Sequence, residues 1–363
     1  MKKLLALILA TLLTLTCLIG CAGTTVVVGG CNHDEGEDNG GSTVVGSSCD
    51  CATNVNALKT GVSISTSISD SISATADKNG EAKYDVTVVA VLVDRNGVIV
   101  SCAIDSIPAT VKFDATGNIT SDTTAEVKTK YELGDAYGMV AWGGAKAEWD
   151  AQIDALEAYV KGKTVEQIKN GDINMTTGKP NPDSDLASSA SIYLAGYVYA
   201  IEAAVNNAKN LGAKLGDELV LSTINTVKSS ASATADKKGV AQLDSDIVAL
   251  TRSKGVITSC YIDAVQAKIE FDATGAITTD LTAKINTKNE LGDAYGMVAW
   301  GHAKYEWNEQ AKTFAAYVTG KTAEEIAGIS IAPSTKPLDG TDLATSVTIA
   351  IGGFQALLAK AMQ

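Results

Sequence analysis

The sequence predicts an α+β fold written twice in tandem, each copy an antiparallel strand meander followed by helices, and three observations carry this expectation. Residues 129–149, TKYELGDAYGMVAWGGAKAEW, recur at 287–307 as TKNELGDAYGMVAWGHAKYEW, an offset of 158. They differ only at Tyr131/Asn289, Gly144/His302 and Ala147/Tyr305. A period this long marks a duplicated domain, because solenoid units run to about 20–50 residues. Asp77-Lys78 with Asp236-Lys237, Asp105 with Asp263, Phe113 with Phe271, and Gly162-Lys163-Thr164 with Gly320-Lys321-Thr322 keep the offset within one residue. Each copy opens on Val- and Ile-rich runs and closes on apolar residues at helical spacing. Strands first and helices after is the order of an α+β domain.

Taken from the N-terminus, residues 1–20 read as a secretory signal: Lys2 and Lys3, an apolar run from Leu4 to Leu18, then Leu18-Ile19-Gly20-Cys21. The run is shorter than the about 20 residues of an ordinary spanning helix. Residues 21–57 form a Gly-, Ser- and Thr-rich stretch with an acidic insert and no sustained period, as expected of a flexible tether. Its Cys31, His33, Cys49 and Cys51 lack the paired C-x-x-C spacing of a zinc site. The first copy spans 58–212 and the second 213–363.

Within copy one, residues 84–93 and 98–104 read as strands joined by Asp94-Arg95-Asn96-Gly97, and 109–113 and 118–121 flank a second turn, Asp114-Ala115-Thr116-Gly117. Copy two has Ser253-Lys254-Gly255 and Asp272-Ala273-Thr274-Gly275 in these places. Cys102 and Cys260 fall inside strand-like runs and are expected to pack as small apolar residues. Trp149, Ile153, Leu156 and Val160 predict a helix from about Ala145 to Val160, ended by Gly162. Thr164-Val165-Glu166-Gln167 and Thr322-Ala323-Glu324-Glu325 have the form of capping boxes. Each copy is expected to close on one long helix, about 186–208 and 343–362.

Charge and residue counts narrow the function. The 363 residues carry 29 Lys and Arg against 42 Asp and Glu, a net charge of −13, which opposes approach to nucleic acid. Loss of Lys2 and Lys3 with the signal takes it to −15. Two histidines, His33 and His302, cannot build a His-rich metal site or a repeated His-based catalytic centre.

Two elements in each copy have chemical potential. In Gly134-Asp135-Ala136-Tyr137-Gly138-Met139 and its repeat ending Tyr295-Gly296-Met297, glycines permit close backbone approach. Tyr137 and Tyr295, with Trp142 and Trp300, offer flat faces to an aromatic ligand. The same loops equally suit packing on their own cores, or an interface between the copies that buries both tyrosines. The second element places Asp185, Ser188, Ser189 and Ser191, and in copy two Asp342, Thr345, Ser346 and Thr348, at the expected start of the closing helix. Hydroxyls there cap free backbone N–H groups, and the same N–H groups favour a phosphate. Glu132 and Asp135, with Glu290 and Asp293, read as solvated carboxylates beside a turn.

At these residues each copy resembles the FMN-binding domain of the flavin subunits of sodium-pumping quinone reductases and Rnf complexes. The closest likeness is to the two-domain, pheromone-type flavin lipoproteins of Gram-positive extracellular electron transfer. The resemblance rests on the Glu-Leu-Gly-Asp-x-Tyr-Gly-Met segment and on the family's Asp-x-x-Ser-Gly-Ala-Thr motif, and covers about residues 60–363. Leu18-Ile19-Gly20-Cys21 likewise resembles a lipobox, which implies lipidation of Cys21 and anchoring to the extracytoplasmic side of the cell membrane. The family implies one FMN per domain, attached by a flavin transferase through a phosphodiester bond to Thr348 and Ser191, with Asp185 and Asp342 opening the motifs. Ser189 and Ser346 replace the family Gly, Val347 replaces its Ala, and Ser191 replaces its Thr. The expected function is a redox carrier rather than a substrate-specific enzyme. It relays electrons from a membrane dehydrogenase or quinone-linked donor to an external acceptor. The alternative is a non-redox surface lipoprotein that binds a small ligand or protein partner with a flavin-free duplicated fold.

Overall fold

Each copy begins with three antiparallel strands in sequential order: β1 (Lys59–Ser67), β2 (Gly80–Val93) and β3 (Ile99–Phe113). The computed structural model describes residues 56–363. The expected signal and tether, with Cys21, Cys31, His33, Cys49 and Cys51, therefore lie outside the described residues. Helices α1 (Lys130–Leu133), α2 (Trp149–Val160) and α3 (Val165–Lys169) follow, then a short pair, β4 (Ile173–Asn174) and β5 (Lys179–Pro180). Copy one closes with α4 (Asp185–Ser189) and α5 (Ala195–Asn206). Copy two repeats the order with β6 (Glu218–Thr226), β7 (Gly239–Ser253), β8 (Val256–Phe271), α6 (Lys288–Leu291), α7 (Trp307–Val318), α8 (Ala323–Ala327) and α9 (Gly352–Ala361). The chain is thus an α+β protein built on antiparallel sheets.

Alternation along β2 explains how the layers assemble. Successive side chains of a strand point to opposite faces. Val89, Val91 and Val93 meet α2 and α5 on one face, in a core with Trp149, Ile153, Leu156, Val198 and Ile201. Ala82, Tyr84, Val86 and Val88 face the other way and meet Ala241, Leu243, Ile247, Val265 and Ile269 of the second sheet. The second sheet does the same, with Val248 and Leu250 turned toward α7 and α9. Residues 56–363 therefore stack as helices, sheet, sheet, helices, and the two copies share a sheet-on-sheet core.

That shared core is isologous, as expected when two copies of one surface meet about a two-fold axis. Phe113 stacks on Phe271, with centroids 4.0 Å apart and planes 4° from parallel. The Ala74 N–H donates to the Gly275 carbonyl at 2.8 Å, and the Ala233 N–H donates to the Gly117 carbonyl at 2.8 Å. Ser232 and Ser73 hydroxyls accept the Ile119 and Ile277 N–H groups in the same mirrored way. Gly80 pairs with Phe113 and Gly239 with Phe271 across each sheet, and a Cβ at either glycine would overlap the ring.

Several elements differ from their sequence expectation. β3 runs unbroken through Pro108, which an edge strand tolerates because one of its sides carries no ladder. Residues 118–121 add only an isolated bridge, Phe113 with Ile119. α2 starts at Trp149, not Ala145, because the Ala145 N–H turns back to the Met139 carbonyl. Both capping boxes form, with Thr164 accepting from the Gln167 N–H and Thr322 from the Glu325 N–H. Cys102 and Cys260 are buried in the two helix-side cores.

The single closing helix divides in both copies. α4 stops at Ser189 and α5 starts at Ala195, while in copy two a 3₁₀ turn, Leu343–Thr345, precedes α9. The break follows from a competing acceptor. Gln152 Oε1 takes the N–H groups of Ser191 and Ile192, and Gln310 Oε1 takes those of Thr348 and Ile349. The Gly178 carbonyl then receives the Leu194 N–H, and the Thr335 carbonyl the Ile351 N–H. Backbone groups committed to these partners cannot continue a helical ladder.

Candidate functional site

Ser191 and Thr348 lie in the break, not at the N-terminus of the closing helix. Asp185 occupies the first turn of α4, whose cap is Ser184, and Asp342 caps the 3₁₀ turn without a side-chain hydrogen bond. Ser188 and Thr345 hydroxyls donate back to the carbonyls of Asp185 and Asp342 at 2.7 Å, and approach Ser189 and Ser346 at 3.3 Å. These four hydroxyl residues thus serve local turns first. The backbone at Ser189 and Ser346 avoids the left-handed region, so a serine is accommodated without strain where the resembling family has glycine.

The hydroxyls of Ser191 and Thr348 share one geometry. Ser191 is exposed, and its Oγ donates to Gln152 Oε1 at 3.3 Å; Thr348 is exposed, and its Oγ1 donates to Gln310 Oε1 at 3.2 Å. Each glutamine is buried and fixed from its other end, donating to the Ala147 carbonyl at 2.9 Å or the Tyr305 carbonyl at 2.8 Å. The hydroxyl rests on a neutral amide, so no carboxylate bonded to it repels an incoming phosphate. In that respect the residues present fit a group carried on the hydroxyl oxygen.

One turn back along each helix, Trp149 and Trp307 lead to a lysine held among rings. Lys130 Nζ lies 5.4 Å from the Tyr137 centroid and 5.7 Å from that of Trp149; Lys288 Nζ lies 5.2 Å from both Tyr295 and Trp307. Burial pulls the Lys130 pKa down, but Asp85, Tyr197 and Tyr137 outweigh it and hold the group above its ordinary value. Beside Lys130 and Tyr137 opens a cleft of about 270 Å³, also lined by Asp70, Lys83, Asp85 and Thr110. Tyr137 and Tyr295 pack on the core of their own copy, so the interface between copies belongs to the sheets.

The repeated loop is held by carboxylates that sequence reading passed over. Buried Glu148 accepts the N–H groups of Met139 and Val140 at 2.8 and 2.9 Å, and buried Glu306 those of Met297 and Val298 at 2.9 Å each. Gly138 and Gly296 sit at φ 82°, each beneath the indole of Trp142 or Trp300, where a Cβ would collide. The tryptophans themselves are 90% and 84% exposed, a large apolar face for water to cover. Glu132 and Glu290 complete capping boxes with Thr129 and Thr287, and Asp135 and Asp293 stand in the first turn of the 3₁₀ helices that follow.

Elsewhere in the two copies, burial pushes Asp105 up to about 6, Asp246 up to about 6 and Glu157 up to about 7. A carboxyl whose folded pKa exceeds its unfolded value near 4 favours the fold while protonated. That stability is present below about pH 4 and is lost as pH rises through 6 to 7. Thermal denaturation should therefore show a lower midpoint at pH 8 than at pH 5. Glu157→Gln keeps an acceptor for the Ile104 N–H, which now donates at 2.6 Å. It should stabilise the protein by about 1–2 kcal/mol at pH 8 and leave it unchanged at pH 4, a difference that equal shifts at both pH values would contradict.

Comparison with family models, with characterised proteins and with solved structures finds no match to this chain. Among the described residues, no helix is long and apolar enough to cross a membrane.

Proposed function

We propose that this chain is a lipid-anchored, extracytoplasmic electron carrier that holds one FMN per copy through phosphodiester bonds at Ser191 and Thr348. The observation that carries the reading is the matched pair of exposed hydroxyls, each fixed by a buried glutamine on a segment withdrawn from helical hydrogen bonding. Attachment by transfer from FAD joins the flavin phosphorus to the side-chain oxygen, breaks the pyrophosphate bond and releases AMP, with the hydroxyl proton passing to solvent. Bound there, FMN would supply reversible electron transfer. The chain's own residues supply placement through Gln152 and Gln310, and fixed positive charge through Lys130 and Lys288. A membrane dehydrogenase or quinone-linked enzyme would be the donor, and an external oxidant the acceptor.

The test is the fluorescence of flavin retained by the chain in a denaturing gel, after production with a flavin transferase. Wild type should fluoresce, Ser191→Ala and Thr348→Ala should each lose about half the signal, and the double variant should be dark. A dark wild-type band would favour the second reading, a non-redox surface lipoprotein that binds a ligand or protein partner. That reading has its own observation in the exposure of Trp142 and Trp300.

A further inference from the structure

The two copies differ at one pseudo-equivalent groove. Lys360 of α9 in copy two donates to the Thr223 carbonyl of its own copy at 2.8 Å, and its Nζ reaches across to pair with Glu132 of copy one. By the repeat offsets, Ala203 of α5 corresponds to Lys360, Ile64 to Thr223 and Glu290 to Glu132. Those three counterparts line one open groove of about 330 Å³ between β1 and α5 of copy one and β8 and α6 of copy two. The lysine is missing there, and the carboxylates remain. Glu290 stays, with Asp263 behind it, 1% exposed and pushed above the usual carboxylate range by burial. Two tyrosines are added: Tyr261 stands where copy one has Ala103, and Tyr199 where copy two has Ala356. The Tyr261 hydroxyl donates to Asp263 at 3.0 Å.

From this juxtaposition we infer that the groove binds a primary alkylammonium, held as the chain itself holds the Lys360 ammonium in the opposite groove. A carboxylate and the Tyr261 ring border a pocket without Lys or Arg in its lining, while Tyr199 already has Lys169 Nζ 5.3 Å from its centroid, and this lining suits an organic cation. The other groups facing Glu290 are its capping N–H, from Thr287, and Lys284, which approaches Oε1 at 3.0 Å with its side chain 72% exposed. The exposed lysine yields that oxygen readily, since a solvated ion pair holds weakly. A primary ammonium is specified over a quaternary one because the opposite groove uses N–H donors to a carboxylate and a carbonyl.

The test is calorimetric titration of the full chain with n-butylammonium, against tetramethylammonium at equal ionic strength. Wild type should bind n-butylammonium saturably, at least tenfold tighter than tetramethylammonium. Glu290→Gln, which keeps an acceptor for the Thr287 N–H, should weaken binding at least tenfold. Ala203→Lys should abolish it by filling the groove from within. Lys360→Ala opens the opposite groove, so its melting temperature should fall and n-butylammonium should restore it. An Nα-acetyl-lysine amide that binds tighter than n-butylammonium assigns the natural ligand to a protein lysine; the reverse assigns it to a free amine. Absence of saturable binding to wild type, or binding unchanged in both Glu290→Gln and Ala203→Lys, would overturn the inference.

Discussion

Truncation of Phe271 to alanine is expected to cost about 3–5 kcal/mol, and to destabilise the whole of residues 56–363 rather than the second copy alone. Its ring stacks on Phe113 at 4.0 Å, fully buried in the core to which both sheets contribute. Removing it leaves a cavity between copies that neither sheet can close by itself, because Gly80 and Gly239 already bring backbone against the rings. Phe113→Ala should cost a similar amount. The double variant should cost less than the sum, since each ring loses a partner already gone. Urea unfolding should show a single transition in every variant, reported together by Trp149 in one helical layer and Trp307 in the other. Two separate transitions, with the first copy's unchanged in Phe271→Ala, would contradict a shared core.

The second large effect concerns the acceptor segment. Gln310 accepts from the Thr348 N–H at 2.7 Å, the Thr348 hydroxyl at 3.2 Å and the Ile349 N–H at 3.1 Å, and donates to the Tyr305 carbonyl at 2.8 Å. Gln310→Leu keeps much of the volume and removes all four bonds, leaving part-buried backbone donors without partners. Such donors cost about 1–3 kcal/mol each, so a loss of about 2–4 kcal/mol is expected. Freed N–H groups would also let the β-branched run Val347-Thr348-Ile349 leave its present path. The labelled fraction at Thr348 should then fall well below that at Ser191. Gln310→Glu restores an acceptor but places a charge on the hydroxyl, so it should recover stability at acidic pH more than it recovers labelling. Equal labelling of both sites in Gln310→Leu would show that the glutamine does not position the hydroxyl.

The α+β order, the hairpin turn at Asp94, the turn at Asp114, and both capping boxes were legible because each depends on neighbours within a few residues. The Asp114 carboxylate, for instance, accepts the Thr116 and Asn118 N–H groups at 2.9 Å and is held near 2 by those bonds. Signals of longer range were harder to see. Gln152 and Gln310 break the closing helices from about 40 residues away, and nothing in the helical periodicity of 186–208 announces a competing acceptor. Their recurrence at the repeat offset was the available clue, as it was for Glu148 and Glu306, and for Lys130 and Lys288. The shared core had a clue of another kind. Val88 to Val93 form an unbroken apolar run, and a strand apolar on both faces is one covered on both faces. β1, rich in Ser and Thr, lacks the Val- and Ile-rich signature of β2, and its place comes from pairing with that strand.

Peptide-level mass spectrometry is the direct test of the proposal that each copy presents one hydroxyl as a flavin acceptor. After production with a flavin transferase and FAD, the peptides that contain Ser191 and Thr348 should each carry the mass of one FMN less water, with fragment ions placing it on those two residues. Unmodified Ser191 and Thr348 in a chain shown to be folded, or flavin mapped to any other hydroxyl, would contradict it.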